Sequence, residues 1–182
     1  MRYLFGILCL ISISFAHTPH LKAKQYQERA LDLQKKDDFD KAFPLFQKAC
    51  EEKMAMSCFY LGNLYEKGLG TNQDHKKAEI FWQKANALYQ KECDKGEAES
   101  CYILAQSYYY GKGEKADTQK ALELWEKACK FGDAGGCNDA GLIYAKGEGV
   151  EPNLSYSKQL FQKACQMDYD IACYNLKTYN IH

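Results

Sequence analysis

The chain has 182 residues, 46% of them hydrophobic and 26% charged, and its 24 Lys+Arg balance 24 Asp+Glu to a formal net charge of zero. That length suits one ordinary domain, and the balance argues against disorder and leaves no basic surplus for nucleic acid. Nine cysteines stand out, because a cytosolic chain of this size has no need of so many.

Residues 1–16 read as a secretory signal. Met1-Arg2 is the positive start, Tyr3 to Phe15 the apolar run, and Ser14-Phe15-Ala16 the small-x-small cleavage pattern. The run falls short of the about 20 residues that cross a bilayer. Cys9 does not suit a lipid attachment site, because Leu8 rather than a small residue precedes it. The mature chain, from about His17, is expected to be exported to the periplasm or beyond and to be free of the membrane. Losing Cys9 with the signal leaves eight cysteines, an even number in an oxidising compartment, which predicts disulfides.

The eight fall into pairs separated by eight: Cys50 and Cys58, Cys93 and Cys101, Cys129 and Cys137, Cys165 and Cys173. The pairs recur after 43, 36 and 36 residues, a period that marks a solenoid of repeated helical units. Counting from the second cysteine, offset +3 holds Leu61, Leu104, Ala140 and Leu176, and offset +4 holds Gly62, Ala105 and Gly141. Offset +7 holds Tyr65, Tyr108 and Tyr144, with glycines at +10 and +12. Offsets 0, +3, +4 and +7 share one helical face, so each unit opens with an amphipathic helix, A, that glycine stops. A second helix, B, leads into the next pair of cysteines. Asp38, Asp74, Asp117 and Asn153 each lie eight residues before Phe46, Trp82, Trp125 and Phe161, and suit N-caps. Each aromatic precedes an x-Lys-Ala triplet ending in Ala49, Ala85, Ala128 or Ala164, small residues that let helices approach closely.

Leu61-Gly62-x-x-Tyr65-x-x-Gly68-x-Gly70, followed by Asp74-x-x-Lys77-Ala78-x-x-x-Trp82-x-Lys84-Ala85, resembles the Sel-one-like repeat, a relative of the tetratricopeptide repeat. With a pair of cysteines in each unit, the chain is similar to the secreted Helicobacter cysteine-rich proteins over roughly residues 21–180. The resemblance implies an all-α fold: an α/α solenoid, right-handed by analogy, with four disulfides inside its repeats. The expected parts are a first helix pair over about 21–50, repeats over about 51–92, 93–128 and 129–164, and a capping helix over about 165–180.

Three departures need an account. Pro44 falls inside the first helix B, where Asp40 as the cap would make it the fourth helical residue and remove only an unpaired donor; that start is preferred to Asp38. Asn86 to Glu92 is inserted in the long first period; seven residues make about two turns, so an extended helix B returns its buried face to within roughly 20°, and a looped-out bulge is the alternative. Lys177 stands at offset +4 of the last unit, as suits a solvent-facing terminal cap.

Antiparallel helices joined by a short turn bring each local pair of cysteines near bridging distance, with Cα atoms about 4.4–6.8 Å apart. Zinc sites space paired ligands by about two to four residues and redox catalysis wants Cys-x-x-Cys; neither pattern is present, and His17, His20, His75 and His182 are scattered. No metal or cofactor is expected.

Family resemblance implies a β-lactam or peptidoglycan-like ligand with slow β-lactamase activity. Of the serine β-lactamase motifs only Ser-x-x-Lys occurs, at Ser155 and Lys158, and composition alone is enough to produce that match. These two align with the ordinary helix B positions Gln119 and Leu122 and are weak catalytic candidates. A groove is the better site. In tetratricopeptide-like solenoids helices A line the concave face, and offsets +1, +5, +8 and +9 would face the groove. They select Phe59, Asn63, Glu66 and Lys67; Tyr102, Gln106, Tyr109 and Tyr110; Asn138, Leu142, Ala145 and Lys146; and Tyr174. Such aromatic and amide side chains stack on a ligand and bond its amides. A protein or peptide in the same groove is the alternative occupant, and a monomer is expected.

Overall fold

The structure is a computed structural model that describes residues 18–179; the expected signal, Cys9, His17 and His182 lie outside them. The described residues form α1 (Thr18–Gln34), α2 (Phe39–Glu51), α3 (Ala55–Lys67), α4 (His75–Cys93), α5 (Ala98–Tyr110), α6 (Thr118–Lys130), α7 (Ala134–Lys146), α8 (Leu154–Cys165) and α9 (Asp170–Thr178), with no strand among them. Each helix packs chiefly on its neighbours in the chain, so the molecule is an all-α solenoid in which α3, α5, α7 and α9 are A helices and α2, α4, α6 and α8 are B helices.

The B helices start where short polar side chains can occupy orphaned backbone donors. Asp74, Asp117 and Asn153 each accept the N–H three residues on, from Lys77, Lys120 and Tyr156. Asp38 rather than Asp40 holds the N-cap position of α2, correcting the Asp40 start, but its carboxylate accepts from the Lys41 ammonium at 2.7 Å and not from a backbone N–H of the first turn. Pro44 is therefore inside α2. It leaves the Asp40 carbonyl without its usual partner, which is tolerable because Asp40 and Pro44 are both exposed to water. One face of the B helices carries Ala49, Ala85, Ala128 and Ala164, all fully buried. At Gly62 a Cβ would come within 2.4 Å of the Trp82 ring, and at Gly141 within 2.8 Å of Phe161. The small residues at offset +4 are thus the seat for the large aromatic of helix B.

Every B-to-A turn is built alike. The third residue after the first cysteine is left-handed (Lys53, Gly96, Gly132, Asp168), and its N–H bonds the carbonyl of that cysteine. The next N–H reaches back to Ala49, Glu92, Ala128 or Ala164, completing a Schellman closure. This reversal sets the cystine Cα atoms 4.8, 4.7, 4.5 and 4.7 Å apart, and all four local disulfides form. Disulfides in this number belong to an oxidising compartment.

The inserted turns extend a helix rather than bulge from it: α4 has 19 residues where α2 and α6 have 13. The extra turns bury Asn86 and Tyr89, and the Asn86 amide donates to the Lys112 carbonyl at 2.8 Å. Among the described residues no helix is long and apolar enough to cross a membrane.

Candidate ligand groove

The A helices α3, α5 and α7 each end at a left-handed glycine (Gly68, Gly111, Gly147), and the residue after it, offset +11, is Leu69, Lys112 or Glu148. Its N–H bonds the carbonyl five residues earlier, so its direction is fixed by the backbone. The two charged residues at this position reach back onto the A helix of the preceding unit. The Lys112 ammonium lies 3.3 Å from Asn63 Oδ1, 5.3 Å from the Phe59 ring centre and 5.4 Å from that of Trp82. Asn63 Oδ1 also accepts from Trp82 Nε1 at 3.2 Å. Burial, assisted by Lys67 and opposed by Glu66, holds the Lys112 pKa below its ordinary value.

The second unit is wired differently. Gln106 donates to the Tyr102 hydroxyl at 2.9 Å, and Trp125 Nε1 is buried with no partner among the described residues. Trp125→Phe is therefore expected to cost much less stability than Trp82→Phe, which breaks a bond worth about 1 kcal/mol and leaves Asn63 half-satisfied. Urea unfolding midpoints of the two variants check this. Tyr109 leans on Trp125 at 5.2 Å and donates to Glu148 at 2.9 Å, which raises its own pKa.

Beyond this lies a half-buried carboxylate. Asp139 accepts from Asn138 at 3.0 Å, and no ion pair forms on it among the described residues. Burial raises its pKa, against the Asn138 amide and the Tyr102 hydroxyl and with help from Asp133; Tyr169 approaches from the turn before α9. An acid with a raised folded pKa contributes full stability only below its unfolded pKa and loses it as pH climbs through the folded value. Asp139→Asn is expected to raise the thermal midpoint at pH 7, with the gain vanishing in acid below the ordinary carboxyl range. Melting curves across pH check the sign.

The A-helix positions chosen from sequence thus divide. Phe59, Asn63, Tyr102, Gln106 and Tyr109 are half-buried and fall into three groups, Phe59 and Asn63 with Lys112, Gln106 with Tyr102, and Tyr109 with Glu148. Tyr110 and Tyr174 are two-thirds exposed, at 66% and 69%. Asn138 corrects the expectation: it is 3% exposed and accepts from Asn175 on α9 at 2.8 Å, so it ties units together and cannot meet a ligand. Glu66 bonds His75 at 2.8 Å and Lys146 pairs with Glu148 at 3.4 Å, while Lys67 is exposed and Leu142 and Ala145 are half-buried. Lys112, Glu148 and Asp139 are the residues the sequence reading missed. A charge at offset +11 was the available signal for two of them, since the residue after a left-handed cap is usually apolar, as Leu69 is.

Ser155 and Lys158 lie in the first turns of α8, both exposed, with no hydrogen bond between them among the described residues. The neighbouring Ser157 is fully buried and donates to the Gly141 carbonyl at 2.7 Å, filling the place of Ala78 and Ala121. An open cleft of about 370 Å³ lies between α6 and α8, lined by Glu126, Tyr156 and Lys163. Two of its polar groups are already engaged, Glu126 by Tyr144 and Lys163 by the Cys129 carbonyl.

Known proteins share this architecture. Residues 23–54, 55–89, 98–133 and 134–169 each match the Sel1 repeat, and the gap between the second and third, residues 90–97, begins within the inserted turns. The chain is 38% identical over 81 residues to Beta-lactamase HcpA of Helicobacter pylori, covering 44% of this chain and 32% of that one. It is 30% identical over 73 residues to HcpD of the same organism, covering 40% of this chain and 24% of the relative. The chain thus spans about a third or less of these curated relatives. A Sel1 repeat protein of Oxalobacter formigenes superposes with a TM-score of 0.61 at 24% identity, over 84% of this chain and 60% of its own. Four matched segments, the cysteine spacing and the paired-helix solenoid agree: the chain belongs to the Sel1 repeat family.

Proposed function

We propose that this is an exported binding protein whose A-helix groove holds β-lactam and peptidoglycan-like ligands, with hydrolysis far slower than that of a dedicated enzyme. The observation that carries this reading is the half-buried set of aromatic and amide side chains on α3 and α5, with the Lys112 ammonium beside Phe59 and Asn63. The ligand class comes from the name of HcpA, over the part of that protein the chain matches. Export is supported by the four disulfides.

Calorimetric titration of the oxidised chain with a penicillin and with a muropeptide is expected to show saturable binding. A chromogenic cephalosporin is expected to turn over well below the about 10 s⁻¹ of an ordinary enzyme. Turnover near that rate, lost in Ser155→Ala, would reinstate serine catalysis. The exposed Tyr110 and Tyr174 favour a second reading, in which the same face docks a protein segment. Absence of binding to both small ligands would leave that reading in place.

A further inference from the structure

We propose that Lys112 is the anchor for the ligand's carboxylate; this rests on the groove reading above and names the group that would hold the acidic end shared by penicillins and D-alanyl-D-alanine peptides. The backbone here is fixed in the same way as at Leu69 and Glu148, so what sets Lys112 apart is its side chain. Gly111 and Gly113 flank it, both left-handed, and a Cβ at Gly113 would come within 2.6 Å of the Gln83 backbone nitrogen. The loop is thus pressed onto α4, and both backbone groups of Lys112 are bonded, its N–H to Ser107 and its carbonyl by Asn86. Where the position needs only packing, Leu69 supplies it.

Lys112 instead brings an ammonium into a partly desolvated setting, over the faces of Phe59 and Trp82. Of its three donors one meets Asn63, and among the described residues no carboxylate pairs with it. Glu148, its counterpart one unit on, is by contrast engaged by Tyr109 and Lys146. Beside these aromatic walls the charge of the ammonium is less screened than in water, which strengthens its attraction for an anion. Lys67 nearby adds to the positive potential and Glu66 reduces it. A flat carboxylate entering here gains the remaining donors of Lys112, and its apolar substituent lies against Phe59.

The test uses the full oxidised chain and diacetyl-Lys-D-Ala-D-Ala, as the free acid and as its C-terminal amide. The acid is expected to bind at least about tenfold more tightly than the amide, with a preference that weakens in salt. Lys112→Met, which keeps the aliphatic stem, is expected to erase the preference, and Lys112→Arg to restore most of it. Circular dichroism and thiol titration of each variant establish that the fold is intact. The same preference in the L,L peptide would keep the anchor and point to any peptide C-terminus as its source. Equal binding of acid and amide to the native chain, or a preference that Lys112→Met retains, would overturn the anchor while leaving the groove reading standing. Failure of both peptides and of benzylpenicillin to bind would overturn the groove reading and the anchor with it.

Discussion

Reduction of the four disulfides is expected to unfold the chain at room temperature. Each cystine closes a loop of about nine residues, worth roughly 2.6 kcal/mol in the chain-entropy model, so the four together contribute about 10 kcal/mol. That matches the whole stability of an ordinary domain, about 5–15 kcal/mol. Far-UV circular dichroism in a phosphine reductant should show loss of the helical signal, and replacing single cysteine pairs by alanine should cost about 2.6 kcal/mol each. A reduced chain that still melts cooperatively near the oxidised midpoint would refute the account, as would unreduced peptide maps with bonds between units. The cystines sit where chain entropy can be removed without distortion, because the Schellman turn has already set their Cα separation.

Trp125→Ala is the second large effect. The side chain is 3% exposed in the middle of the solenoid, packed against Tyr109, and its backbone carbonyl lies 2.8 Å from where a Cβ on Gly136 would stand. Truncation should cost about 3–5 kcal/mol. Helices here meet mainly their chain neighbours, so the damage should stay local and uncouple the two halves. Hydrogen exchange is expected to show α5 to α7 losing protection first, with α2 and α3 keeping theirs. The same truncation at Phe161 should loosen mainly α7 to α9, since among the described residues only α9 follows its helix. Uniform loss of protection across the chain in both variants would show that the solenoid unfolds as one unit.

Much of this architecture was written in local spacing. Cysteines eight apart, caps eight before an aromatic and glycines at +10 and +12 are short-range signals, and each maps onto one turn or one helix end. The extension of α4 followed from the near-return of the buried face after seven residues. What stayed hidden depended on partners far away in the chain. Asn138 has the same offset as Phe59 and Tyr102, yet Asn175, 37 residues on, turns it into a buried tie. Lys112 reaches Asn63 across 49 residues, and Tyr109 reaches Glu148 across 39. Pro44 misled for a different reason: a helix tolerates the loss of one bond where the orphaned carbonyl faces water.

The confinement of every cystine to a single hairpin has a consequence for synthesis and for descent. A thiol meets its mate only eight residues behind it, so pairing can finish stepwise as the polypeptide emerges through a translocation pore, before competing thiols arrive. Cutting out one period, residues 101–136 for instance, would splice Cys93 to Cys137 at the original distance and strand no sulfur. Such a molecule can gain or lose modules by recombination without passing through a mispaired ancestor.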